Sequence, residues 1–390
     1  MPLVLDRPAE ALDAPSQGAP PRHVYVHVPF CGRRCAYCDF AIAVRRDVPV
    51  DEYLGALAGE LRLRFGAAGA WPVDTLYFGG GTPSRLGGDG VRRAMELLRG
   101  RLDLAPDAEV TLEANPEDVS PAAVGAWRDA GINRLSLGGQ SFDDGVLAWM
   151  RRGHSGDAIE RAVELARAGG IPNFSFDLIF ALTPGVARDW NADLRRMLAI
   201  APPHVSLYGL TIEPATPLAR QRERGTLVET PEERYEAEFL GAHEALVAAG
   251  YDHYEVSNFA RPGSHSRHNS SYWHGAAYAG LGPSAHGYDG RERRWNVAPY
   301  AEWVRRAAAG ADPLEGSETL TDENRTAERV YLGLRTRAGV VLTRSELQHV
   351  APWVDAGWAE LDGPRLRLTA LGWLRLDALA ASLTHLRSRY

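Results

Sequence analysis

Cys31, Cys35 and Cys38 are the only cysteines in the chain, three thiols inside the stretch "YVHVPFCGRRCAYCDF". Three cysteines without a fourth restrict the chemistry. Structural zinc takes four ligands in a closed tetrahedron, usually from two separated pairs, so zinc here would need His27 or Asp39 to complete the set. A [4Fe–4S] cluster has one external position on each of four irons, and three thiolates leave one iron open to a ligand from elsewhere. Burial as small hydrophobes is a poor account of three clustered thiols flanked by Arg33 and Arg34. We therefore expect Cys31, Cys35 and Cys38 to hold a [4Fe–4S] cluster, with zinc as the alternative. An odd cysteine count without a secretion signal argues against a disulfide framework.

A second chemical stretch lies far downstream: "NFARPGSHSRHNSSYWHGAAYAGLGPSAHGY", rich in His, Tyr, Ser and Gly. Polar aromatic loops of this kind usually carry a site or cover one.

The elements that must position these residues are legible in the hydrophobic pattern. Six short β-type runs, "HVYVHVP", "DTLYFGG", "AEVTLEANP", "INRLSLGG", "NFSFDLIF" and "HVSLYGLT", alternate with helical segments. This alternation predicts an α/β fold, an open partial (β/α)6 TIM-like barrel with parallel strands. Leu54, Leu57, Leu61 and Phe65 share one helical face, as do Ile159, Val163 and Ala166, the latter helix stopping at Gly169 and Gly170. In a barrel, function belongs where strands end, and "FGGGTP", "EANPED", "LGGQSFD" and Asp177 all fall there.

We expect four regions: a flexible N-terminal tail over residues 1–20, a core barrel over 21–250, a loop-rich connecting segment over 251–310, and a C-terminal module over 311–390. In the last, "TDENRTAERVYLGLRT" and "TRSELQHVAPWVDAG" read as helices, "WAELDGPRLRLT" as a hairpin turning at Asp362-Gly363, and "ALGWLRLDALAASL" as a final helix. Helix, helix, hairpin, helix resembles a winged-helix α+β unit. Its 11 acidic against 10 arginine residues disfavour a DNA reader.

The chain has 390 residues, 45% hydrophobic and 24% charged, with a formal net charge of −7. Such a composition suits a soluble protein with a sizeable core and argues against general nucleic-acid binding. No apolar run approaches a membrane span, and no basic amphipathic helix supports a stable membrane anchor, so we expect a cytoplasmic protein. Every basic residue is arginine, which nucleotide composition explains, although arginine also suits bidentate recognition of carboxylates and phosphates.

C-x3-C-x-aromatic-C after a first barrel strand resembles the radical S-adenosylmethionine (SAM) superfamily. The resemblance implies that the amino and carboxylate groups of SAM chelate the open iron, and that one-electron transfer then yields methionine and a 5′-deoxyadenosyl radical. From about Tyr25 to the C-terminal module the chain is similar to the branch around the oxygen-independent coproporphyrinogen oxidases. By that likeness Tyr25 and Tyr37 pack beside SAM, and Gly79-Gly80-Gly81-Thr82-Pro83 forms the glycine motif at its methionine moiety. Glu113, Gln140, Arg152 and Asp177 match polar SAM-contacting positions. In the oxidases some of these, with Tyr37, Gly81 and Thr82, serve a second SAM. Singly, each motif has a bland reading as a turn, a cap or a loop residue; the case rests on their order along the chain.

Two departures separate the branches. The oxidases continue as C-x3-C-x2-C-x-C, whereas Phe40 stands here in place of the extra cysteine. "RHNSSYW" contains His268-Asn269-x-x-Tyr272-Trp273, the H-N-x-x-Y-W signature of the HemW-type heme chaperones. That resemblance implies heme binding by His268, Asn269, Tyr272 and Trp273, with His268 as the axial ligand, and delivery of heme to an acceptor protein, respiratory membrane enzymes among the candidates. Arg261 and Arg267 are candidates for the propionates. The plainer reading makes His268 a loop cap and the aromatics core, and His253, His265, His274 and His286 compete as ligands. A third departure is "DLIFALTPGVARDW", where Ala181 replaces a family glycine, Thr183 is an insertion and a Gln-Thr pair is missing; it favours a carrier over a catalyst. The expectation is a heme chaperone with a SAM-coordinated [4Fe–4S] cluster. The alternative is an oxygen-independent coproporphyrinogen III dehydrogenase, and a related radical SAM methyltransferase is a third.

Overall fold

In the computed structural model, residues 21–66 and 70–388 are described. The expected tail over residues 1–20 lies outside them. The chain starts with β1 (His23–Val28), a two-residue parallel pair β2 (Phe30–Cys31) and β3 (Ala43–Val44), and helix α1 (Val50–Phe65). There follow β4 (Trp71–Gly80), α2 (Gly87–Arg99), β5 (Leu102–Ala114), α3 (Pro121–Ala130), β6 (Arg134–Gln140), α4 (Asp144–Trp149) and α5 (Gly156–Ala168). The barrel ends with β7 (Phe174–Phe180), α6 (Trp190–Ile200), β8 (His204–Gly209), α7 (Pro217–Glu223) and α8 (Glu232–Ala248).

β1, β4, β5, β6, β7 and β8 pair in that order, all parallel. These are the six runs read from sequence, so the partial barrel is as expected. Alternation explains β1: Val24, Val26 and Val28 are fully buried in the main core, while Tyr25 and His27 turn to the other face. The predicted helix faces are buried too, Leu54, Leu57, Leu61 and Phe65 on α1 and Ile159, Val163 and Ala166 on α5. Side chains of Ser120, Ser155 and Asp189 accept from the first-turn amides of α3, α5 and α6, stopping the loops where the helices start.

The segment expected to be loop-rich is more regular than its composition suggests. It forms β9 (Asp252–Glu255), β10 (Asn258–Ala260), α9 (Arg267–Trp273), β11 (Tyr278–Leu281), β12 (His286–Tyr288), β13 (Glu292–Asn296) and α10 (Tyr300–Ala308), leading to β14 (Leu314–Thr319). Strands of three to five residues are too short for alternation to stand out in sequence. β11 adds parallel to the free edge of β1, and β12, β13 and β14 continue antiparallel, giving a sheet of twelve strands.

A buried carboxylate fastens this extension to the barrel. Glu60 on α1 accepts from Gly282 N at 2.9 Å, Trp303 Nε1 at 2.8 Å, Asn296 Nδ2 at 2.6 Å and Arg64 Nη2 at 3.3 Å.

The remainder comprises α11 (Asp322–Arg335), β15 (Val340–Val341), α12 (Arg344–Asp355), β16 (Ala359–Asp362), β17 (Arg365–Leu368), α13 (Ala370–Trp373) and α14 (Leu376–Arg387). β15, β17 and β16 make a small antiparallel sheet, and the hairpin turns at Gly363 with φ +58°. The final helix expected as one piece is two, because the backbone leaves helical geometry at Arg375. β14 belongs to the large sheet, so the elements of the small unit begin with α11.

Candidate functional site

Two cavities flank β1. The first, of about 740 Å3, opens over the C-terminal ends of the barrel strands and is lined by Cys31, Cys35 and Cys38. Tyr37, Gly80, Gly81, Thr82, Glu113, Gln140, Arg152 and Asp177 line the same cavity, so eight of the nine expected SAM positions converge on it. Tyr25 does not; its ring faces the second cavity.

The backbone of the glycine motif explains this wall. Gly80 has φ +116°, and a Cβ there would meet the His27 ring at 2.5 Å. A Cβ on Gly81 would meet the Pro29 carbonyl at 2.6 Å, so the strand end can lie against the cysteine loop only without side chains. Gly80 N and Tyr77 Oη donate to the two oxygens of Glu113, at 3.0 and 2.9 Å, which aims this carboxylate along the wall. Burial pushes its pKa up to about 7, and burial likewise pushes Asp177 up to about 6.

Arg152 ties the cysteine loop to the barrel. Its guanidinium donates to Asn115 Oδ1 at 2.6 Å and Gly138 O at 2.7 Å, and lies 3.6 Å from Cys35 Sγ. Thr82 Oγ1 is 3.5 Å from Cys31 Sγ. Burial raises the pKa of Cys31 and pushes that of Cys38 up to about 11. Thiols held this way want a cationic partner before they ionise.

The donor set fits a site-open [4Fe–4S] cluster: three thiols on one wall, an open cavity beside them, and the Arg85 and Arg152 guanidiniums on the rim. Among the described residues no three His, Cys, Asp and Glu side chains are arranged to close on a single metal ion. His27, the possible fourth zinc ligand, is engaged elsewhere: Nε2 lies 2.9 Å from Ala41 O and Nδ1 3.2 Å from Tyr25 Oη. Asp39 and Phe40 lie on the cavity wall.

The second cavity, of about 1080 Å3, lies between the sheet extension and the helices α11 and α14. One wall is a face of β11, β12 and β13, presenting Tyr278, His286, Tyr288 and Arg293; register places Tyr278 opposite Tyr288 and Tyr288 opposite Arg293. The other is helical, with Ala327 and Tyr331 from α11 and Ala380, Ala381 and His385 from α14. Small side chains there leave the room.

α9 packs on β4 and brings Tyr272 and Trp273 to the second cavity. Glu109 on β5 accepts from the backbone amides of Arg267 and His268, at 3.0 and 2.9 Å, seating the start of α9 against the barrel. His268 is then buried with both ring nitrogens in use: Nδ1 is 2.7 Å from Thr75 Oγ1 and Nε2 is 2.8 Å from Tyr272 Oη. Its ring stacks on Tyr77 at 5.0 Å. Burial holds the imidazole neutral, its pKa pushed down to about 3.

Of the expected heme residues, Tyr272 and Trp273 line the aromatic cavity, whereas His268 and Asn269 do not. The propionate candidates are also engaged elsewhere: Arg261 donates to Ala249 O and lies over Tyr251, and Arg267 pairs with Asp107. His253 is buried against Phe259, and His265 stacks on Tyr254; of the four competing histidines named from sequence, His286 reaches the cavity. His385, Tyr288 and Arg293 carry no motif, and only the packing of α14 against the extension reveals them. Asn115, inside "EANPED", was legible as a strand-end residue without its bond to Arg152.

The family model for the radical SAM superfamily matches residues 25–197. A protein named heme chaperone HemW from Mycobacterium tuberculosis is 40% identical over 380 residues, covering 95% of this chain and 96% of that protein. The Bacillus subtilis protein of that name is 34% identical over 320 residues, covering 82% and 84%. Among solved structures, coproporphyrinogen III oxidase (HemN) from Escherichia coli superposes with a TM-score of 0.79 at 24% identity, covering 96% of this chain and 91% of that one. That last likeness establishes the shared fold.

Proposed function

Because this chain belongs to the radical SAM superfamily and, within it, to the heme chaperone HemW family, we propose that it binds heme and passes it to an acceptor protein. The observation that carries this reading is the aromatic cavity, whose size suits a macrocycle and onto which Tyr272 and Trp273 of the H-N-x-x-Y-W segment open. Aromatic faces and small helical residues offer a flat apolar slot, and Arg293 supplies a cation at its edge for a propionate.

Beside it, Cys31, Cys35 and Cys38 would hold the [4Fe–4S] cluster, and the cavity they line would take SAM at the open iron. A reduced cluster supplies one electron to a bound ligand. The protein's part is positional: Gly80 and Gly81 let the strand end close against His27 and the Pro29 carbonyl, Arg152 fixes the loop, and Glu113 and Asp177 present carboxyl groups that titrate near neutrality. Tyr37, Thr82 and Gln140 complete the SAM wall, with Tyr25 behind it.

The acceptor class is a heme protein, with membrane-bound respiratory enzymes among the candidates. Among the described residues no helix is long and apolar enough to cross a membrane. The test is anaerobic: cluster-loaded protein takes up hemin stoichiometrically and yields it to an apo heme protein, followed by the Soret band. Conversion of coproporphyrinogen to protoporphyrinogen by the same preparation with SAM would replace this reading with the dehydrogenase one.

A further inference from the structure

Three imidazoles line the aromatic cavity: His27, His286 and His385. An axial ligand needs a free ring nitrogen aimed at the macrocycle. His27 has both nitrogens in hydrogen bonds, and so does His268, which lines neither cavity. His286 and His385 make no side-chain hydrogen bond or ion pair among the described residues, and both are exposed to the cavity. They come from different walls, His286 from β12 and His385 from α14.

We propose that His286 and His385 are the two axial ligands of the heme iron, and that His268 is a positioning residue. This assignment rests on the heme-binding reading and adds to it. A macrocycle between the two walls would contact the ring of Tyr288 and the small faces of Ala327, Ala380 and Ala381. Arg293 lies over the Tyr288 ring and pairs with Glu328 at 2.9 Å and Glu318 at 3.4 Å. Among the described residues it is the one arginine on the cavity wall, so a propionate docks there by exchanging with Glu328. His268 acts through its neighbours. It holds Tyr272 by the hydroxyl and Tyr77 by its ring, which fixes the wall shared with Tyr25.

The test uses the full, cluster-loaded chain and hemin, read by Soret titration and by EPR of the ferric heme. Wild type is expected to give a six-coordinate low-spin signal. His286→Ala and His385→Ala each turn it high-spin and weaken binding by about tenfold or more, since even groups that only support a ligand are worth about 10–100-fold. Added imidazole restores the low-spin signal in both single variants, and the double variant loses stoichiometric binding. His268→Ala keeps the low-spin signal while losing thermal stability; Thr75→Val, which frees His268 Nδ1 from outside the cavity, also keeps it. Low-spin, wild-type-like binding in both cavity variants, or loss of the signal in Thr75→Val together with His268→Ala, overturns the ligand assignment and leaves heme binding standing. A wild type that takes up no hemin sinks the chaperone reading and the assignment with it.

Discussion

Glu60→Gln tests how the aromatic cavity is held against the barrel. The carboxylate is fully buried and faces donors on both oxygens: Gly282 N and Trp303 Nε1 on Oε2, and Asn296 Nδ2 and Arg64 Nη2 on Oε1. A glutamine amide has one accepting oxygen. Whichever way it turns, its NH2 group confronts two donors, the buried Gly282 N and Trp303 Nε1 or Asn296 Nδ2 and Arg64 Nη2, and of these the part-buried Arg64 reaches solvent. Each buried donor left unpaired costs about 1–3 kcal/mol, so the substitution should cost on the order of 4 kcal/mol. Glu52→Gln is the control on the same helix: its carboxylate accepts from Tyr300 Oη at 2.8 Å but is exposed, and its loss should cost no more than about 0.5–1 kcal/mol. Urea denaturation of both variants gives the two differences. Amide exchange supplies the location, with faster exchange expected in β12 and β13. A Glu60→Gln cost below about 1 kcal/mol, or one equal to the control, would refute the view that this carboxylate anchors the extension.

Ala181 sits at φ +55° with its amide donating to Glu238 Oε2 at 2.7 Å. Ala181→Gly should raise stability by up to about 1 kcal/mol, the left-handed strain relieved exceeding the added freedom of the unfolded chain; a lower denaturation midpoint would contradict this. Glu113 has its pKa raised by burial from 4.5 to about 7, so the folded state keeps a proton that the unfolded chain gives up, and stability falls as pH climbs between those values. At about 1.4 kcal/mol per pH unit the fall is on the order of 3 kcal/mol for the cofactor-free chain, and Glu113→Gln should flatten that part of the profile. Arg152→Ala removes the bonds to Asn115 and Gly138 beside Cys35, and should weaken SAM binding to cluster-loaded protein by about 10–100-fold in anaerobic calorimetry.

The barrel was readable because its signals are local and repeated. Each of the six runs carries its own alternation, and each helix face its own spacing, so no partner is needed to recognise them. The cysteine loop was readable for the same reason: ligand count and spacing are properties of one short stretch. The aromatic cavity is different. His286 and Arg293 lie on strands of three and five residues, and His385 on the last helix, with nothing in their neighbours to link them. Its walls meet only after β11 finds the free edge of β1. His268 shows the converse limit: the motif is visible, yet its hydrogen-bond partner Thr75 lies on β4, far away in sequence, and only the fold brings the two together. Arg261 and Arg267 were near the motif in sequence, but each finds a closer partner in the barrel.

β1 leads straight into Cys31, and its Tyr25 and His27 face the other cavity from the strand's polar side. A one-residue insertion or deletion between Tyr25 and Cys31 therefore cannot be absorbed as a change of loop length. Side chains alternate with a period of two, so it would either swing the rings out and bring valines in or drag the thiols off their wall. The two sites are locked in phase along a single ribbon of backbone, and neither can drift along the chain without carrying the other.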